Sequence, residues 1–253
     1  MEPPVAEAPT IIRPAGGVSP RMLVGTFHKT GTILMRGITA RVAAACGLTY
    51  WAPGMGAIPE DWNLLFHVNS NFGREILAAR HPTAIVVRDP RDVIISAAHY
   101  HCTQALPGDA WLHVPDAALD GRTYNQHISA LPNDDERYIF EMENKSADTI
   151  RRMLRFPRHH PNVMVVKLED LVTDYELEAY RRMFTWLGVP AEQMQQALEI
   201  ARSRSLFAGA GEGSAHVRSG QPEQWRTRFS PRVLAAFEDR FPGAALDLGY
   251  PPS

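Results

Sequence analysis

The sequence predicts an α/β fold, a single domain with a central parallel β-sheet flanked by helices. Three observations predict it. Short runs rich in branched apolar residues recur at 21–27 (RMLVGTF), 63–68 (NLLFHV), 83–88 (TAIVVR) and 162–168 (NVMVVKL). They are apolar at successive positions, as strands covered on both faces are. Between them lie helical patterns near 30–45, 71–80, 91–101, 135–155 and 174–187, so strand and helix alternate. The 253 residues, 45% hydrophobic and 21% charged, suffice for one large core without a disulfide or metal staple.

In chain order, residues 1–20 are rich in Pro and Ala and lack a basic and then apolar signal pattern, so they read as a flexible leader. Residues 21–253 form the expected domain. Within it, 103–133 carries Pro107, Gly108, Pro115, Gly121 and Pro132 with little periodicity, and is expected to be a long loop or lid on the acceptor side. Helices follow near 190–202 and 231–240, separated by a glycine-rich loop at 208–215. A net charge of −2 and a pI near 6.6 argue against nucleic acid or an anionic membrane as partner. No apolar run reaches the roughly 20 residues of a membrane helix, which fits a cytoplasmic location. Cys46 and Cys102 lie in unrelated segments and read as small apolar residues.

The first chemical signal is LVGTFHKTGTILM, 23–35. An apolar strand stops at His28-Lys29-Thr30-Gly31-Thr32, and a helical pattern resumes. A helix N-terminus offers unpaired N–H groups and a positive dipole end, Gly31 permits close approach, Lys29 adds charge, and Thr30 and Thr32 add hydroxyls. The spacing is not the G-x-x-x-x-G-K-[ST] of nucleotide-hydrolysing P-loops. The second signal is AIVVRDPRDVIISAAHYH, 84–101. Arg88 ends a strand, where open α/β sheets bind ligands, and Ser96 lies two turns into the next helix. Arg91 and Asp92 read as a helix-start ion pair. The third is HVRSGQPEQWRTRF, 216–229, where Arg218-Ser219-Gly220 forms a plausible phosphate grip.

These segments, with VVKLEDLVTDYELEAYRRMFTWLGV between the second and third, resemble in order the sulfotransferases that use 3′-phosphoadenosine 5′-phosphosulfate (PAPS). The resemblance implies a P-loop NTPase-like sulfotransferase fold and sulfuryl transfer from PAPS to a hydroxyl or amine of a small acceptor, releasing 3′,5′-adenosine bisphosphate (PAP). By resemblance, His28, Lys29, Thr30, Gly31, Thr32 and Ile33 surround the 5′-phosphosulfate, with Lys29 catalytic. Arg88, Ser96, Arg218, Ser219 and Gly220 hold the 3′-phosphate, and Ser205 and Phe207 complete the nucleotide site. His67 occupies the family's general-base position, 21 residues before Arg88, and His28 is the second candidate. No metal is expected. The sequence departs from the family at Leu34, Leu168, Ile33 and Gln224, which implies either weak nucleotide stacking or stacking by Trp225, Phe207 or Phe229 instead.

Trp111, Leu112, His113, Val114, Tyr124 and Tyr138 are expected to line an acceptor pocket suited to a phenol, alcohol or sugar. His99 and His101 are candidates for the same wall. Oligomeric state is left open. The alternatives are a P-loop kinase or NTPase using ATP–Mg²⁺, and a non-catalytic nucleotide-binding protein of the same fold.

Overall fold

The computed structural model describes residues 21–73, 78–79, 81–103, 109–205 and 221–252. The expected leader, half of the 71–80 helix (74–77 and 80) and the glycine-rich loop lie outside the described residues, and 71–73 are not helical. Five strands form one parallel sheet: β1 Met22–Gly25, β2 Tyr50–Trp51, β3 Leu64–His67, β4 Thr83–Val87 and β5 Val163–Lys167. Their order is β2-β3-β1-β4-β5. After β1 the chain fills one side, then crosses to the other through β4, so β1 is the switch point of the sheet. In sheets of this kind the crevice beyond the carboxyl ends at that point takes the ligand, and there the 26–31 loop begins.

Period-two alternation divides the core. Leu23, Leu65, Ile85 and Val87 face one layer, while Met22, Val24, Leu64, Phe66, Ala84 and Val86 face the other. The second face is covered by α1 (Thr32–Ala45), α6 (Glu178–Leu187) and α7 (Ala191–Arg204). On α6 the buried Tyr180, Met183, Phe184 and Leu187 recur at helical spacing, which is why that segment packs as a helix. The first face carries α2 (Pro90–Thr103), α3 (Tyr124–Ala130), α4 (Asp134–Glu143), α5 (Lys145–Arg155) and α8 (Pro231–Arg240).

Three sequence expectations need correction. The single helix expected over 135–155 is two, broken at Asn144 (φ −122°, ψ −115°). Within 103–133, the described part holds short 3₁₀ turns at Ala110–His113 and Ala117–Leu119 and the helix α3. A Thr123–Gln126 capping box starts that helix, a signal the proline and glycine punctuation obscured. β5 is not covered on both faces: it is an edge strand, and Val165 is 36% exposed. β2 was not foreseen, because two residues carry no periodicity.

Candidate functional site

The loop after β1 curls through two left-handed residues, Lys29 (φ 61°) and Gly31 (φ 86°), a pattern that turns backbone N–H groups into one hollow. Gly31 is the N-cap of α1, whose first turn has no side-chain cap and no acidic residue. The first-turn amides therefore face the hollow with the positive end of the helix dipole. Thr30 and Thr32 were expected to offer hydroxyls. Instead the Thr30 hydroxyl accepts from Phe27 N (2.7 Å) and donates to Phe27 O (3.1 Å). The Thr32 hydroxyl donates to Phe27 O (3.0 Å) and lies 2.9 Å from Thr26 Oγ1. Both hydroxyls brace the turn, and what the loop presents is backbone. Ile33, in the first turn of α1, is 54% exposed.

A Cβ on Gly31 would stand 2.6 Å from Leu168 Cδ1, at a φ that L residues rarely adopt. Gly31→Ala is therefore expected to cost roughly 1 kcal/mol or more of stability and to weaken anion binding at the loop. Paired thermal melts with and without PAP check both effects. Leu168 stands where the resembled family frequently has a tyrosine near adenine, and here it packs on the loop.

Lys29 Nζ lies 3.8 Å from the Tyr100 ring centroid, a cation–π contact. Burial pushes its pKa down to about 8, the Arg88 charge pushes the same way, and the carboxylates of Asp109 and Glu141 pull it back. Arg88 reaches from the end of β4 to donate to the Lys29 carbonyl (Nη1–O 3.2 Å). The two sequence motifs thus meet at one place. Ser96 sits half-buried on α2.

Arg91 does not pair with Asp92. Its guanidinium donates to both Asp89 oxygens (2.9 and 2.7 Å) and to Pro251 O (2.9 Å), and stacks 3.6 Å from the Trp225 ring centroid. Asp92 instead accepts from Trp225 N (3.0 Å). Trp225, buried between Arg91 and Arg226, braces the start of α2, and Phe229 packs on Tyr138 (5.5 Å). Glu169 accepts from Asp89 N (3.0 Å) and from the Tyr250 hydroxyl (2.7 Å). Among the described residues no three His, Cys, Asp or Glu side chains gather to hold a metal ion.

Two histidines flank the loop. His67 ends β3 beside Gly25, its Nδ1 against Val68 O, its ring edge-on to Phe72 (5.8 Å) and tilted on Trp51 (6.3 Å). His28 lies on the other side, its Nε2 3.2 Å from His101 Nε2. His101 is fully buried and bonds Glu141 (Nδ1–Oε1 2.5 Å), whereas His99 is exposed. No sequence motif marks Glu141. Its signal was an acid on the buried stripe of α4 between Tyr138 and Met142, where an unpaired carboxylate is costly.

Ser205 is buried, and its hydroxyl donates to Arg202 O (2.6 Å) at the end of α7. Phe207, Arg218, Ser219 and Gly220 lie outside the described residues. Of the expected acceptor lining, Leu112, Tyr124 and Tyr138 are buried, and Trp111 and Tyr124 pack edge-on around His101 (5.2 and 5.3 Å). His113 and Val114 point to solvent instead.

A parallel sheet with a lysine-bearing, amide-lined turn at its switch point defines the P-loop-like class of α/β proteins. Within that class, residues 83–246 match the sulfotransferase domain family, and the chain belongs to it. The match includes Arg88 and Ser96, and the 28–32 turn precedes it. The fold is similar to that of mouse sulfotransferase SULT7A1 complexed with PAP, with a TM-score of 0.60 at 15% identity, covering 90% of this chain and 88% of that one. It is also similar to retinol dehydratase in complex with androsterone and inactive cofactor PAP, with a TM-score of 0.52 at 15% identity, covering 88% and 80%. No curated protein matches it in sequence. Among the described residues no helix is long and apolar enough to cross a membrane.

Proposed function

We propose that the protein transfers a sulfuryl group from PAPS to a hydroxyl of a small-molecule acceptor and releases PAP. One observation carries the reading: Lys29 and Arg88, two cations from separate strand ends, are held together by the 3.2 Å bond to the Lys29 carbonyl. Neither takes part in an ion pair among the described residues. Like charges kept adjacent, with no carboxylate in ion-pair contact among the described residues, suit a ligand with more than one anionic group.

The amides of the α1 first turn and Lys29 hold the 5′ end, and Lys29 stabilises negative charge developing on the leaving phosphate oxygen. Arg88 and Ser96 hold the 3′-phosphate, joined by Arg218, Ser219 and Gly220. The ring wall of Tyr100, Trp111 and Tyr124 supports a small acceptor, and the retinol dehydratase neighbour holds one, androsterone. A neutral imidazole, His67 at the end of β3 or His28 beside Lys29, takes the acceptor's proton.

Thermal-shift titration tests the reading. PAP is expected to raise the melting temperature with saturation, whereas ATP–Mg²⁺ leaves it nearly unchanged. Stabilisation by ATP only with Mg²⁺ would favour a kinase or NTPase. PAP binding with no sulfation across phenol, alcohol, amine and sugar acceptors would favour a non-catalytic binder.

A further inference from the structure

A file of polar side chains behind the loop has no role in phosphate binding. Glu141 accepts from His101 Nδ1 (2.5 Å) and the Tyr124 hydroxyl (3.0 Å) at Oε1, and from the Ser146 hydroxyl (2.8 Å) at Oε2. Three donors on one fully buried carboxylate mark it as an ionised acceptor. In its neutral form His101 therefore carries its proton on Nδ1, and its Nε2 is a lone pair. That lone pair faces His28 Nε2 at 3.2 Å, across nearly parallel rings (7°). His28 must then carry its proton on Nε2, which leaves Nδ1 as a lone pair. Among the described residues nothing hydrogen-bonds His28 Nδ1. His28 and Lys29 are adjacent in the chain and share the Tyr100 ring, at 6.1 and 3.8 Å from its centroid.

We propose that His28 accepts the acceptor hydroxyl's proton on Nδ1, with His101 and Glu141 as the positioning residues that fix its tautomer and stabilise the imidazolium formed. This rests on the sulfuryl-transfer reading above and names the base within it. The acceptor oxygen bonds sulfur as the bond from sulfur to the 5′-phosphate oxygen breaks. The bonding pair leaves on that phosphate oxygen, which faces Lys29, and the hydroxyl proton passes to His28 Nδ1. His28 then donates from Nε2 to His101, whose own N–H remains on Glu141.

The groups facing His28 are His101 and Tyr100 from α2, Lys29 from its own loop, Lys145 from α5 and, through His101, Glu141 from α4. Burial, followed by the repulsion a protonated His101 would exert and by the charges of Lys29 and Lys145, holds His28 well below the usual imidazole value. The ring is thus neutral and ready to accept at pH 7.

His28→Ala is expected to lower kcat by about 10²-fold or more while leaving PAP affinity within about twofold, and added imidazole should restore part of the rate. Removing the Glu141 charge with Glu141→Gln should lower the plateau rate and move the acidic limb of the kcat/KM profile to lower pH. Should Glu141→Gln fail to fold, Ser146→Ala serves: one donor fewer leaves the carboxylate more basic, and the limb moves to higher pH. Three results would overturn the proposal: a His28→Ala rate within about threefold of the parent, a lost rate on which imidazole has no effect, or a limb unmoved by the carboxylate variants. A parent protein that neither binds PAP nor transfers sulfuryl groups would instead overturn the reading on which the proposal rests.

Discussion

A Lys29→Met protein is expected to lose sulfuryl transfer by about 10²–10³-fold, the usual effect of deleting one donor to a developing oxyanion, yet to melt at a higher temperature than its parent when unliganded. Both effects come from the same placement. The ammonium rests on the Tyr100 ring with no carboxylate in an ion pair, and burial lowers its pKa from 10.5 to about 8. The unfolded chain therefore binds that proton more tightly than the folded one. The group's contribution to stability rises as pH climbs from about 8 to 10.5, and below that window the folded protein carries the whole strain. Methionine keeps the apolar stem and removes the charge. Its advantage should be largest at pH 7 and gone by the upper end of the window. Thermal melts at the two pH values decide it, and a variant less stable than the parent at pH 7 would refute the account. The same linkage makes PAP binding take up a proton just above pH 8, readable by calorimetry in buffers of differing ionisation enthalpy.

Arg88→Ala is expected to raise the Kd for PAP by about 10–100-fold, since a hydrogen-bonded contact to a charged group contributes about 1.5–3 kcal/mol. A ligand bearing only the 5′-phosphate should lose far less. The comparison matters because Arg88 has two roles here. Its proposed role is to grip the 3′-phosphate, and it also holds the Lys29 carbonyl at 3.2 Å. Loss through the second role would weaken both ligands equally. Direct titration of the two ligands against parent and variant separates the roles, and equal losses would contradict the 3′-phosphate assignment.

The sheet was legible because β1, β3 and β4 are buried on both faces and so write continuous apolar runs. The meeting of Lys29 and Arg88 followed from placing both at strand ends, where a parallel sheet gathers its loops. Other features were hidden for identifiable reasons. The threonine hydroxyls of the loop are engaged within their own turn, and sequence does not distinguish a donor that faces a ligand from one that faces the chain. Trp225 looked available to stack on a base, but Arg91 and Arg226 enclose its ring. Glu141 and His101 lie 40 residues apart, and their pairing depends on how α4 packs against α2. No local pattern records that packing, although a carboxylate on a buried helical stripe was a visible prompt to seek its partner.

The order β2-β3-β1-β4-β5 also governs how the protein is made. β1 is the first strand synthesised, yet it gains its inner neighbours only when Leu64–His67 and then Thr83–Val87 have been added. During translation the segment that becomes the anion turn stays attached to a strand that waits about forty residues of elongation for its first neighbour and about sixty for its second. Parallel pairing with such long loops to close is slow. The anion turn thus takes shape only once both inner neighbours of β1 exist, and a chaperone that shields residues 22–27 of the nascent chain should increase the yield of folded protein more than it increases total synthesis.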